Sequence, residues 1–252
     1  MNEFPSCSVT IAGLRQGREP AHCGSGTLVQ LEDQYYILTA AHCAKVLAKC
    51  DEIGLPIRRD KRPFILPVID PIYIGEWKSE EWGPDLAFLP IPHVKARDIL
   101  NYTNYLFYNL GRYRDEMLGG EPEIEAALWV VIGAPACISN LEDSRNLEFK
   151  KMTYTGGVMP PVTREDFDYI EIRADLNLKE VPPDFRGVSG GGLWHTKVGR
   201  KQDGTFVTMG KPKLEGCAYL QTQPPGRYRY IRCHGRRSIY EHGVSKLLDM
   251  RK

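Results

Sequence analysis

The 252-residue chain has no apolar run long enough to span a bilayer. It has no internal repeat and no low-complexity segment either. No sign of charge dominates, because 33 basic residues face 32 acidic ones and leave a formal net charge of +1. That balance argues against broad electrostatic attachment to nucleic acid or to an anionic membrane surface. The opening residues, MNEFPSCSVTIAG, hold no basic segment leading into an apolar stretch of signal-peptide length, so the expectation is a soluble, cytoplasmic protein. Seven cysteines, at 7, 23, 43, 50, 137, 217 and 233, are odd in number and form no CxxC pair. Reduced thiols are expected, with no zinc site. Histidines 22, 93, 195, 234 and 242 show no metal-ligand spacing, and each is expected to be an ordinary core or surface residue. No metal and no cofactor are predicted.

What is abundant is punctuation: 24 glycines and 18 prolines break the chain into short β-branched and aromatic runs. All-β sandwiches and barrels are written this way. Twelve candidate strands follow: CSVTIAGL, GSGTLVQLED, QYYILTA, RPFILPVID, IYIGEW and DLAFLPI in the first half, then LWVVIGA, LEFKKMTYT, DYIEIRA, GGLWHTK, KLEGCAYLQT and RYIRCHG. Between the halves, VKARDILNYTNYLFYNLGRYRDEMLGGEPE has apolar residues at helical spacing and predicts one helix followed by a linker. Its Tyr102, Tyr105, Leu106 and Tyr108 are expected to pack that helix. The tail RSIYEHGVSKLLDM predicts a second, short helix. The resulting plan is a first β unit over 1–95, a helix and linker over 96–122, and a second β unit with the terminal helix over 123–252.

Three stretches gain meaning together. In YYILTAAHC a strand ends in small residues that deliver His42. In GPDLAFLPI, Asp85 stands at the entrance of an apolar strand, and in RGVSGGGLW, Ser189 stands among glycines. A serine hydroxyl is a poor nucleophile at neutral pH and needs a base to take its proton. An imidazole suits that task, and a buried carboxylate would fix its tautomer and stabilise the imidazolium formed during attack. Two backbone N–H groups aimed at the developing oxyanion would stabilise it by about 3–4 kcal/mol each, and Gly187 and Ser189 are placed to supply them.

These motifs, TAAHC, DLAFL and GVSGG in that order, resemble the trypsin-like (chymotrypsin-fold) serine peptidases. The resemblance covers about residues 8 to 245. It implies two six-stranded β-barrels with a site in the cleft between them, and hydrolysis of a polypeptide substrate through an acyl-enzyme. His42, Asp85 and Ser189 would be the triad, and the Gly187 and Ser189 amides the oxyanion hole. Family zymogens carry an aspartate before the nucleophile, whereas Val188 stands here and no IVGG-type start receives it. The chain is in this respect more similar to bacterial, non-zymogen members. Any regulation would then come from loop ordering or from an activating protein partner.

In the same comparison Gly192 replaces a proline, which is expected to alter loop stiffness. The segment LEGCAYLQT is similar to the substrate-pairing strand, with Tyr219, Leu220 and Gln221 along a peptide track. The base of the first specificity pocket would fall near Pro183 and Asp184. Asp184 would favour Lys or Arg if it faced the pocket, but an Asp in PPDF more often initiates a turn. Cys23 and Cys43 sit where secreted relatives form a disulfide, and reduced thiols are still expected. The basic run GRYRYIRCHGRR is expected to be a solvated strand face. Two other readings stand beside the peptidase: a catalytically weak or inactive scaffold on the same fold, and an esterase using the same site.

Overall fold

The computed structural model describes residues 6–17, 19–57, 62–75, 82–120, 127–138, 140–143, 146–148, 150–179, 181–201, 203–222 and 226–251. Strands form where the apolar runs lie between glycine and proline, and they gather into two eight-stranded sheets. The first holds β1 (Ser8–Leu14), β2 (Ala21–Leu31), β3 (Gln34–Thr39), β4 (Glu52–Leu55), β5 (Phe64–Pro67), β6 (Ile72–Ile74), β7 (Leu86–Ile91) and β8 (Tyr108–Asn109). Its order is β5-β4-β1-β2-β3-β7-β6, all antiparallel, with β8 lying parallel beside β2.

After β9 (Ala127–Gly133), a separate hairpin pairs β10 (Asn140–Asp143) with β11 (Asn146–Glu148). The second sheet joins β9 to β12 (Met152–Thr155), β13 (Gly157–Val158), β14 (Val162–Arg164), β15 (Phe167–Asp175), β16 (Gly192–Arg200), β17 (Phe206–Thr222) and β18 (Tyr228–His234). Its order is β12-β9-β16-β17-β18-β15-β13, with β14 on β15. In each sheet the two end strands are neighbours in the chain. Residues 68–71 join β5 to β6, and Gly156 alone separates β12 from β13.

Several strands are apolar on both faces because both faces are covered. Along β3, Ile37 points into the first sheet's own core with Val9, Ile11 and Leu28, while Leu38 points into a shared core. That shared core includes Phe88 of β7, Val130 and Ile132 of β9, and Trp194 of β16. Along β9, Val131 belongs instead to the second sheet's interior with Ile172, Leu193 and Ile231. One-residue alternation thus sends successive side chains to different cores. The tail winds as a π-helix over Arg237–Gly243 into α4 (Val244–Asp249), and its Ile239, Tyr240 and Leu247 seal the shared core. Buried Asp168 holds the start of that turn, accepting from Arg237 N at 3.0 Å and Ser238 N at 2.8 Å. Here an aspartate stands in for the capping residue that orphan N–H groups require.

The expected single helix between the halves is two, numbered α2 (His93–Tyr102) and α3 (Leu110–Leu118) because another helix precedes them in the chain. Thr103 Oγ1 takes the carbonyl of Ile99 at 2.7 Å and the backbone turns extended, which ends α2. Asn109 then caps α3 by accepting from Arg112 N at 2.8 Å. The aromatics between them consequently do not pack one helix face. Tyr102 is exposed at the end of α2 and Leu106 is exposed in the connection, whereas Tyr108 is buried in β8 edge-on to Trp194. Strands β4, β8, β10, β13 and β14 were not anticipated, being two to four residues long and too short to show alternation. Residues 76–77 and 149 of the expected strands, and the expected boundary between residues 122 and 123, lie outside the described residues. Among the described residues no helix is long and apolar enough to cross a membrane.

Candidate functional site

His42 does not sit at a strand edge as expected. After β3 ends at Thr39, the chain enters α1 (Ala41–Leu47), and His42 lies in its first turn. Ala40, Ala41 and Ala44 are small enough to be buried there, letting the helix pack against the first sheet. Ala40 offers no capping side chain, and the orphan N–H of His42 goes to Asp85 Oδ1 at 2.8 Å. The other carboxylate oxygen lies 2.5 Å from His42 Nδ1. Asp85, placed immediately before β7 and almost fully buried, therefore fixes both the backbone and the ring of His42. Nδ1 is committed to Asp85, and the side chain stays 42% exposed toward the cleft. Burial alone would push the imidazole below its ordinary value of 6.5, but the Asp85 hydrogen bond and charge, with neighbouring Cys43, outweigh it and raise it.

Behind this pair stands His234, expected from the sequence to be no more than an ordinary core or surface residue. It is fully buried, and its Nε2 accepts the Asp85 N–H at 2.9 Å. The ring packs 4.6 Å from Tyr219 and 5.1 Å from Tyr169. Burial, only partly opposed by the charges of Asp85 and Asp168, lowers its pKa to about 4, so it remains a neutral acceptor at neutral pH. The basic run itself is not one solvated face. Arg232 is buried against Glu171 and lies 3.5 Å over the Trp82 ring, and Arg236 pairs with buried Glu215.

Ser189 comes from the second sheet, on the turn entering β16. The turn works because two residues adopt backbone conformations that favour glycine, with φ +94° at Gly187 and +89° at Gly190. At Gly190 a Cβ would run into Ser25 O and Thr39 Oγ1, so β2 and β3 press directly on the turn. Arg186 O accepts from Ala136 N at 2.7 Å and Val188 O from Gly191 N at 2.8 Å. In a trans peptide the N–H points opposite to the C=O, so Gly187 N–H faces away from Ala136 and Ser189 N–H away from Gly191. Neither N–H donates to the chain among the described residues.

Two residues that carried no expected role at the site hold this arrangement. Ser25 Oγ accepts from Ala134 N at 2.9 Å and donates to Gly187 O at 2.8 Å, tying the first sheet to the turn through one hydroxyl. The His22 ring lies where a Cβ on Gly187 would go. Val188 is buried in the second sheet's core, so the turn is anchored by packing rather than by charge. Gly192 is a matter of space more than of loop stiffness, since a Cβ there would meet Trp194 Nε1 at 2.6 Å and Thr27 Oγ1 at 2.8 Å.

The structure brings His42, Asp85, Ser189, Tyr219, Leu220 and Gln221 around one cleft of about 330 Å³. Within it the Ser189 hydroxyl donates to Tyr219 O at 3.2 Å. Tyr219 occupies a bulge of β17, and beyond Ala218 that strand has a ladder partner on β18 only. Leu220, Gln221 and Thr222 thus present an edge without a neighbouring strand among the described residues. Pro183 and Asp184 do not line the cleft. Asp184 accepts from Arg186 N at 2.8 Å and pairs with the Arg186 guanidinium, as the turn reading of PPDF requires.

The seven cysteines are free. Cys43 Sγ faces Ser189 O at 3.7 Å, whereas the sulfurs of Cys23 and Cys50 both lie against Gly13, so Cys43 and Cys23 serve different neighbours. Among the described residues no three His, Cys, Asp or Glu side chains gather as metal ligands. No protein-family model matches the chain, and no curated protein matches it.

Proposed function

We propose that the chain is a serine endopeptidase of the trypsin-like kind, with each eight-stranded sheet, rather than the six strands expected, curled into a barrel and the cleft between the barrels as its active site. One observation carries this: a carboxylate-bound imidazole from one sheet and a glycine-flanked serine from the other line the same cleft. An extended peptide adds to the open edge of β17 at Leu220–Thr222, where main-chain bonds give affinity. The Ser189 hydroxyl leaves Tyr219 O and turns to His42 Nε2. His42 takes its proton as the oxygen attacks the scissile carbonyl, and Asp85 stabilises the imidazolium. The oxyanion is held by the Gly187 and Ser189 amides. His42 then protonates the leaving amine, and water releases the acyl group by the same steps in reverse. The triad, the oxyanion donors and the polypeptide substrate are sufficient for this chemistry, with no step assigned to a cofactor.

A second reading, a non-catalytic scaffold on this fold, is favoured by the bond from Ser189 to Tyr219 O, which leaves the serine turned from its base. A fluorophosphonate probe separates the two. The peptidase labels at Ser189, and Ser189→Ala abolishes labelling. A folded protein that never labels supports the scaffold. Full labelling of the isolated chain also argues against gating by a partner.

A further inference from the structure

We propose that the residue whose carbonyl is attacked carries a small, uncharged side chain, an inference that rests on the peptidase reading. The cavity wall next to Ser189 is made by Phe185, Val188, Ala218 and Ile231, none more than 2% exposed. These side chains present almost no accessible surface, so a leucine or an aromatic ring enters between them only by displacing them. The cavity cannot widen cheaply. Phe185 is fixed edge-on to Tyr154 at 5.6 Å, and its N–H donates to Gln221 Oε1 at 2.6 Å, tying the turn to the strand across the cavity.

Charge gives the same answer. The Asp85 carboxylate is occupied by His42, and Asp184 lies outside the lining and holds Arg186. A lysine or arginine side chain entering here would lose its hydration with no free carboxylate among the described lining residues to meet it. Arg186 is at the solvent rim, 86% exposed and paired, so it offers an acidic side chain little more than a screened encounter. Alanine, serine and threonine satisfy both limits.

The experiment has two arms on the full chain. A fluorophosphonate without a side chain first reports whether Ser189 is reactive. Peptides differing only before the cut, with Ala, Thr, Leu, Phe, Lys or Glu there, are then compared by kcat/KM. Ala and Thr are expected to exceed Phe, Lys and Glu by about 100-fold. Labelling together with equal or better cleavage after Phe, Lys or Glu overturns the pocket assignment and leaves the peptidase intact. Failure to label overturns both. Gln221→Ala and Ile231→Ala, each checked for native circular dichroism, open the cavity by different routes, and both are expected to move preference toward Leu by about 10-fold. Unchanged preference in both folded variants contradicts the inference.

Discussion

The two sides of the cleft are held by different physics. On the first sheet, His42 and Asp85 are fixed by short polar bonds, at 2.5 Å between the ring and the carboxylate and 2.9 Å from Asp85 N to His234. On the second, packing and uncharged hydrogen bonds fix Ser189, with buried Val188 beneath it, Gly190 pressed on Ser25, Ser25 N donating to Ser189 O at 2.8 Å, and one hydroxyl bridging Ala134 to Gly187. Polar bonds specify angle and protonation state. Packing specifies where the backbone runs and leaves two amides uncommitted. Proton transfer needs the first kind of control, and a site for developing charge needs the second.

The sharpest way to break the polar side is Asp85→Asn. It is expected to lower kcat/KM by about 10⁴-fold, because the ring loses both its orientation and the charge that stabilises imidazolium. The pH profile should change as well. A base must be unprotonated to work, so with the His42 pKa raised, wild-type activity climbs through a pH above 6.5. In the Asn variant burial is opposed chiefly by Cys43 and that limb moves to lower pH. A limb that stays in place would remove Asp85 from the account.

Val188→Asp tests the packed side. A carboxylate there would be desolvated among apolar side chains, and the variant is expected to lose about 3–5 kcal/mol in denaturant unfolding. Full stability would mean that the turn is held by something other than packing.

His234→Gln probes where the two sides meet, since His234 accepts from Asp85 N while packing against Tyr219. The unfolded imidazole takes a proton near 6.5 and the folded one only near 4. Protons therefore favour unfolding over that interval: the wild type keeps its full contribution above 6.5 and loses roughly 3 kcal/mol as pH falls to 4. Glutamine retains an acceptor and does not titrate, so the Tm of the variant should fall less steeply across this window. Equal slopes would show that His234 is not the acid-sensitive group.

The smallest effect is expected from Ser25→Ala, which leaves Ala134 N and Gly187 O without their partner. Stability should drop by about 1–3 kcal/mol. Turnover should fall while KM stays nearly constant, because the hydroxyl acts on the oxyanion turn rather than on the peptide track.

This contrast also explains what could be read in advance. That His42, Asp85 and Ser189 meet around one cleft was legible because each stands in a short local motif. The short apolar runs behind β2, β3, β7, β9 and β16 were legible for the same local reason. The start of α1 was hidden because small residues in TAAHC continue a strand as readily as they open a helix, and the cap arrives from Asp85, far along the chain. Ser25 and His234 were illegible: nothing beside them in sequence signals their partners, which only the packing of the sheets supplies. Asp184 was ambiguous until its turn bonds to Arg186 could be seen.

The most direct test of the central claim is the structure of the protein after reaction with a phosphonylating probe. The account predicts a bond from phosphorus to Ser189 Oγ, His42 Nε2 within hydrogen-bond reach of that oxygen, and the phosphoryl oxygen about 2.7–3.1 Å from both Gly187 N and Ser189 N. An adduct on another residue, or a phosphoryl oxygen pointing away from both amides, would contradict it.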